Sequence, residues 1–155
     1  MAQLKEGATA PAFSGKDQDG KTIRLSDYKG KKVILYFYPK DDTPGCTAEA
    51  CNLRDNYQGL LSKGFAIIGV SPDDEISHAK FRTKYTLPFS LIADHDASII
   101  KAYGAWGEKK MYGRSSMGVL RTTYVIDEQG KIKKVFTKVD TQNHTQQILT
   151  ELGNQ

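Results

Sequence analysis

The chain's 155 residues suffice for one compact domain, 1–155, and leave too few for a second with a core of its own. With 39% hydrophobic and 26% charged residues it has the balance of a soluble globule, and its longest apolar runs, 33–38 and 65–70, fall far short of the roughly 20 residues a membrane helix needs. The net charge of +4 is scattered over distant lysine pairs, which speaks against nucleic acid as a partner, and the N-terminal stretch lacks the apolar segment of a secretory signal, so a cytoplasmic location is expected.

Residues 16–23, KDQDGKTI, hold an Asp-Gly pair between short strand-like stretches and predict a β-hairpin. The continuous run 31–38, KKVILYFY, predicts a strand buried on both faces and stopped by Pro39. Residues 47–63 read as a helix, with Ala48, Cys51, Leu53, Tyr57, Leu60 and Leu61 near helical spacing and Gly64 as its cap. A second buried strand follows over 65–71. Pro72-Asp73-Asp74-Glu75 opens a helix to Tyr85, with acidic residues near its positive end. A strand over 89–93 and a short helix over 97–103 come next, and Gly104-Ala105-Trp106-Gly107 breaks the pattern. Residues 122–127 and 131–136 form an antiparallel hairpin around Glu128-Gln129-Gly130, and 143–152 is an amphipathic helix. Strands alternating with helices predict an α/β domain, a thioredoxin-like central mixed sheet flanked by helices, with an extra N-terminal β-hairpin.

Two cysteines in such a chain suggest chemistry rather than a disulfide scaffold. His78, His95 and His144 have no H-x3-5-H spacing and read as surface or loop residues, so neither a metal nor a cofactor is expected. The informative segment is 39–51, PKDDTPGCTAEAC, placed where a buried parallel strand meets a helix, which is where α/β sheets carry their sites. Pro44-Gly45 turns the chain so that Cys46 falls in the first helical turn, facing free amides and the positive end of the helix dipole. An unperturbed cysteine is only about 3% ionised at pH 7, and the thiolate is the nucleophile, so a helix start and a nearby arginine would both promote attack. Peroxide reduction also needs donors for the oxygen that leaves, and Thr43 is a short hydroxyl close by in sequence.

Pro39-x-x-x-Thr43-x-x-Cys46 resembles the active-site motif of the peroxiredoxins, thiol peroxidases of thioredoxin-like fold. Thr43-Pro44-Gly45-Cys46 followed by Cys51, together with Tyr36-Phe37-Tyr38-Pro39, Tyr103-Gly104-Ala105-Trp106-Gly107 and Arg121-Thr122-Thr123-Tyr124, is similar to the bacterioferritin-comigratory, or plant Q-type, branch. The resemblance covers nearly the whole chain. It implies that Cys46 is the peroxidatic cysteine, Cys51 the resolving thiol, Thr43 the peroxide-orienting hydroxyl and Arg121 the activating guanidinium, with Pro39 shielding the sulfur. It further implies a hydroperoxide substrate, recycling by thioredoxin or a similar dithiol, and a monomer.

Plainer readings exist for each residue. Cys51 falls among positions read as core-facing, Thr43 suits a turn or cap, and Arg121 suits a surface ion pair. Trp106 and Tyr38 read as packing, and Asp41 and Asp42 as solvated loop charges. A thioredoxin-like disulfide reductase would carry C-x-x-C, whereas four residues separate the cysteines here. A peroxide sensor without turnover would use the same cysteine. On an unbroken helix, positions 46 and 51 would lie roughly 8–9 Å apart at Cα, beyond the ~7 Å limit for a bridge, so a disulfide predicts local unwinding.

Overall fold

The computed structural model describes residues 4–111 and 113–153. The apolar run that begins at Val33 forms most of β3 (Lys32–Phe37), and alternation along it supplies both faces of the sheet with core. Val33, Leu35 and Phe37 enter one buried cluster, and Ile34 and Tyr36 enter the other. This is why the run is continuously apolar.

The other strands are β1 (Ser14–Lys16), β2 (Thr22–Arg24), β4 (Phe65–Ser71), β5 (Ser90–Ala93), β6 (Trp106–Met111), β7 (Arg114–Val119), β8 (Thr122–Ile126) and β9 (Ile132–Phe136). The helices are α1 (Pro44–Asp55), α2 (Tyr57–Ser62), α3 (Glu75–Tyr85), α4 (Ser98–Ala102) and α5 (His144–Glu151). Seven strands form one sheet in the order β2-β1-β5-β4-β3-β8-β9, with β3, β4 and β5 parallel and the remaining pairs antiparallel. Leu60, Phe81 and Ile148, from α2, α3 and α5, join α1 on the Ile34–Tyr36 face. Ile99 and Ile100 of α4 cover the opposite face. The fold is the expected mixed, thioredoxin-like sheet with helices on both sides and N-terminal strands added at its β5 edge. No described helix is long and apolar enough to cross a membrane.

Five expectations need correction. The helix expected over 47–63 begins at Pro44 and is two helices, broken at Asn56, whose side-chain amide donates to the Asn52 carbonyl at 2.8 Å. Its buried residues in α1 are Cys46, Glu49, Ala50 and Leu53, the i, i+3, i+4, i+7 stripe, so Cys51 lies beside the core-facing row rather than in it. The stretch after Gly104 was expected only as a break, yet β6 and β7 pair there in a separate antiparallel hairpin. Its described side chains are mostly exposed and polar, so it lacks the apolar alternation that marks a strand. His78 and His144 are fully buried rather than at the surface, while His95 is exposed and meets Glu75 at 2.7 Å. Asp41 is buried too, whereas Asp42 is exposed and paired with Lys84.

Candidate active site

The register of β3 with β8 builds the site. Phe37, the last residue of β3, faces Thr122, the first of β8. Arg121 therefore enters the sheet just where β3 releases the chain toward α1. Pro39 follows, half-buried, and borders a surface depression with Pro72, Trp106 and the β6–β7 hairpin. Thr43 is the N-cap residue of α1 and Pro44 its first helical residue, which places Cys46 in the first turn.

Cys46 is 1% exposed and packs with Tyr36, Tyr38, Ala50 and Leu53. Arg121 donates from Nη2 to its sulfur at 3.4 Å and from Nη1 to Glu49 Oε1 at 2.9 Å. Gly45 leaves room for this approach, since a Cβ there would lie 3.1 Å from Arg121 Nη2 and push the guanidinium by a few tenths of an ångström. The helix start and the guanidinium thus both bring positive potential to one buried sulfur.

Thr43 makes no side-chain cap; its hydroxyl donates to the Lys40 carbonyl at 2.8 Å. That bond uses its proton and leaves its lone pairs available to a hydroperoxide O–H. Cys51 is partly buried on the same unbroken α1, and both cysteines are free thiols. Burial pushes the Cys51 thiol up, with Arg54 opposing and Asp55 assisting.

Glu49 was not anticipated. It is fully buried one turn after Cys46, and burial pushes its carboxyl from the ordinary 4.5 up to about 7, against the opposing charge and hydrogen bond of Arg121. The signal was present in the sequence, since a carboxylate at the i+3 place of an apolar stripe needs a buried partner.

A second unanticipated cluster braces the loop between β3 and α1. Asp41 accepts from Tyr38 Oη at 2.6 Å, from Ser77 Oγ at 2.7 Å and from His78 Nδ1 at 2.7 Å. His78 Nε2 donates to the Ile92 carbonyl at 2.9 Å, and the Asp41 amide donates to Asp73 Oδ2 at 2.8 Å. Ligand atoms of Asp41, Asp73 and His78 lie within 4.8 Å of one another. Each residue is already engaged by hydrogen bonds, and the cluster ties the loop of Pro39–Thr43 to α3. Tyr38 has the packing role expected of it, its ring stacked on Tyr36 with centroids 5.4 Å apart.

The family model of the AhpC/TSA family matches residues 7–135. The chain belongs to that family. Among its relatives, the Peroxiredoxin Bcp of Bacillus subtilis is 44% identical over 149 residues, which is 96% of this chain and 95% of that one. A cysteine-to-serine mutant of Xylella fastidiosa PrxQ superposes with a TM-score of 0.91 at 29% identity, covering 99% of this chain and 98% of that one. A structure of the Xanthomonas campestris bacterioferritin comigratory protein, concerned with alkyl peroxide reduction, superposes at 0.88 with 29% identity over 96% and 98% of the two chains. This AhpC/TSA chain thus falls in the Bcp, or Q-type, peroxiredoxin branch.

Proposed function

We propose that this chain is a thiol-dependent peroxidase in which Cys46 is the peroxidatic cysteine and Cys51 resolves it. The observation that carries the reading is the Arg121 guanidinium 3.4 Å from a buried sulfur in the first turn of α1. The Cys46 thiolate attacks one oxygen of ROOH, the O–O bond breaks, and the RO⁻ that leaves takes a proton to become ROH. The sulfur is oxidised by two electrons to Cys46–SOH. The Cys51 thiol then displaces water, giving a Cys46–Cys51 disulfide. A dithiol reductant, in this reading a thioredoxin-type protein, returns both thiols by exchange. Both sulfurs belong to one helix of one chain, which supports a monomer as the working unit. A reducing cytoplasm is the compartment that suits such recycling. Alkyl hydroperoxides join hydrogen peroxide as expected substrates, by analogy with the Xanthomonas protein. Pro39, at the mouth of the site, shields the sulfur, and Thr43 orients the peroxide through its lone pairs.

The test is peroxide consumption by purified protein supplied with dithiol, followed by mass spectrometry. Turnover with a 46–51 disulfide is the expected result, and Cys51→Ser protein should stall with oxidised Cys46. A sulfenic acid that accumulates in wild-type protein without turnover would favour a sensor. The bridge also demands motion, because α1 is continuous from Pro44 to Asp55 while both thiols are free. Amide exchange over 43–55 should be much faster in the disulfide form than in the reduced form, and equal protection would refute local unwinding. Thr43 thus accepts from the peroxide rather than donating to the leaving oxygen as the sequence suggested, and Thr43→Val, which keeps shape but removes the hydroxyl, should raise the barrier to peroxide attack by about 0.5–1.5 kcal/mol. Stopped-flow rates for the reduced protein check this, and an unchanged rate reduces Thr43 to a turn residue.

A further inference from the structure

The buried carboxyl of Glu49 has one oxygen, Oε2, without a hydrogen-bond partner among the described residues. His144 Nε2 lies 3.5 Å from it, and both side chains are fully buried. The protonation of this imidazole follows from its surroundings. Gln147 donates from Nε2 to the Lys138 carbonyl at 2.8 Å and accepts at Oε1 from the Asp140 amide at 2.9 Å. Its Oε1 is therefore an acceptor, so His144 Nδ1, 2.9 Å away, carries the hydrogen. Burial also disfavours a charged His144 and pushes it from the ordinary 6.5 down to about 4, despite the Gln147 bond. In the neutral ring Nε2 presents a single lone pair, which accepts the Thr123 hydroxyl at 2.9 Å. Glu49 Oε2 faces this electron-rich edge at 3.5 Å. An ionised Oε2 would meet negative potential there with no donor to compensate, whereas a protonated, neutral carboxyl does not.

We propose that His144 is a positioning residue for the Cys46 site: the electron-rich edge of its neutral ring, turned to Glu49 Oε2, disfavours a carboxylate there and keeps Glu49 neutral, so that the charge of Arg121 is left to the Cys46 sulfur. When Glu49 loses its proton to solvent at higher pH, two changes follow. Arg121 Nη1 then serves a full negative charge, and a second anion stands one helical turn from the thiolate. Both weaken the stabilisation of Cys46 and of the anion that leaves. Among the described residues, the titratable groups around the pair are Arg121 before β8, Cys46 on α1, Tyr36 on β3 and Asp140 before α5. Tyr36 is held neutral well above the working range by burial and by the charge of Glu49, so it does not titrate with the pair. The N-terminus of α5 thereby acquires a part in a reaction whose cysteines lie on α1.

The inference rests on Cys46 being the reacting thiol, and its test has one arm that does not. Infrared difference spectra between acid and alkaline pH should show the C=O stretch of a protonated carboxylic acid that fades with a midpoint of about 7. Glu49→Gln should lack it, and His144→Leu should move its midpoint to lower pH, with His144→Gln returning it toward wild type. In the kinetic arm, the peroxide rate of reduced wild-type protein should fall by roughly tenfold on the alkaline side, the equivalent of one pKa unit of lost charge stabilisation. Glu49→Gln should abolish that fall, and His144→Leu should shift it in the same direction as the infrared band. An infrared midpoint indifferent to His144→Leu, or an alkaline fall that survives Glu49→Gln, overturns the proposal. Absence of peroxide reduction in wild-type protein, with the carboxyl titrating as described, would instead remove the peroxidase reading and the positioning role together, leaving only the effect of His144 on the Glu49 carboxyl.

Discussion

Cys46→Ser protein should consume no peroxide at the expense of a dithiol, and Arg121→Ala should slow attack by about 100- to 1,000-fold at neutral pH. The serine oxygen is far too basic to be an anion under these conditions, so nothing replaces the sulfur. In the proposed mechanism Arg121 acts twice: it donates to the sulfur before attack, as its 3.4 Å approach allows, and its fixed charge then stabilises the oxygen that becomes RO⁻ as the O–O bond breaks. Neither contribution needs reorganisation, because Glu49 and the end of β8 already hold the guanidinium in place. Arg121→Lys should recover only part of the rate, since one ammonium cannot serve Cys46 and Glu49 with the two-pronged geometry of a guanidinium. Stopped-flow measurement of the first oxidation step is the readout, with circular dichroism to verify folding. A rate within a few-fold of wild type in Arg121→Ala would remove the guanidinium from the chemistry.

Asp41→Asn should lower folding stability by about 3–5 kcal/mol, the usual result of stripping one member from a buried ion pair. In a chain of this size that corresponds to a fall in Tm of roughly 6–20 °C. Side-chain exposures of 4% for Asp41 and 0% for His78 leave little water to compensate. Burial alone would lower the His78 pKa, but the hydrogen bond and charge of Asp41, with the Ile92 carbonyl and Asp73, outweigh it and hold the imidazolium above its ordinary 6.5. The folded chain then binds more protons than the unfolded chain above that pH. The pair's contribution is complete below pH 6.5 and is lost as pH rises through the folded value. Glu49, also raised, and His144, lowered, add slopes of their own, so the informative quantity is the difference between wild type and variant. That difference should shrink with increasing pH in urea titrations. Asp41 lies between Pro39 and Thr43, so the same variant should also loosen the site loop and slow peroxide attack. A stability within 1 kcal/mol of wild type would show that the brace is not needed.

Local pattern sufficed for most of the architecture. The continuous run 32–37 could be buried only between two layers, and Gly64, with φ of +86°, ends α2 where a cap was expected. The break at Asn56 has no signature in composition, because it rests on a side-chain bond to the Asn52 carbonyl that only the folded backbone presents. The β6–β7 hairpin escaped because its polar strands satisfy each other's backbone while burying little.

In the candidate site, the motif Pro39-x-x-x-Thr43-x-x-Cys46 identified the sulfur and its loop, because a turn followed by a helix start is a property of adjacent residues. Arg121 was named by resemblance, but its distance from Cys46 depends on Phe37 facing Thr122 across the sheet, a pairing 85 residues apart in the chain. Glu49, His144, Asp41 and His78 took their meaning only from burial. On a surface these would be ordinary solvated side chains; enclosed by α1, α3, α5 and the sheet, each must find a partner or change its protonation. Sequence neighbours determined where the proposed nucleophile, Cys46, sits. The tertiary fold, by removing water and bringing distant charges together, decided which groups share its field.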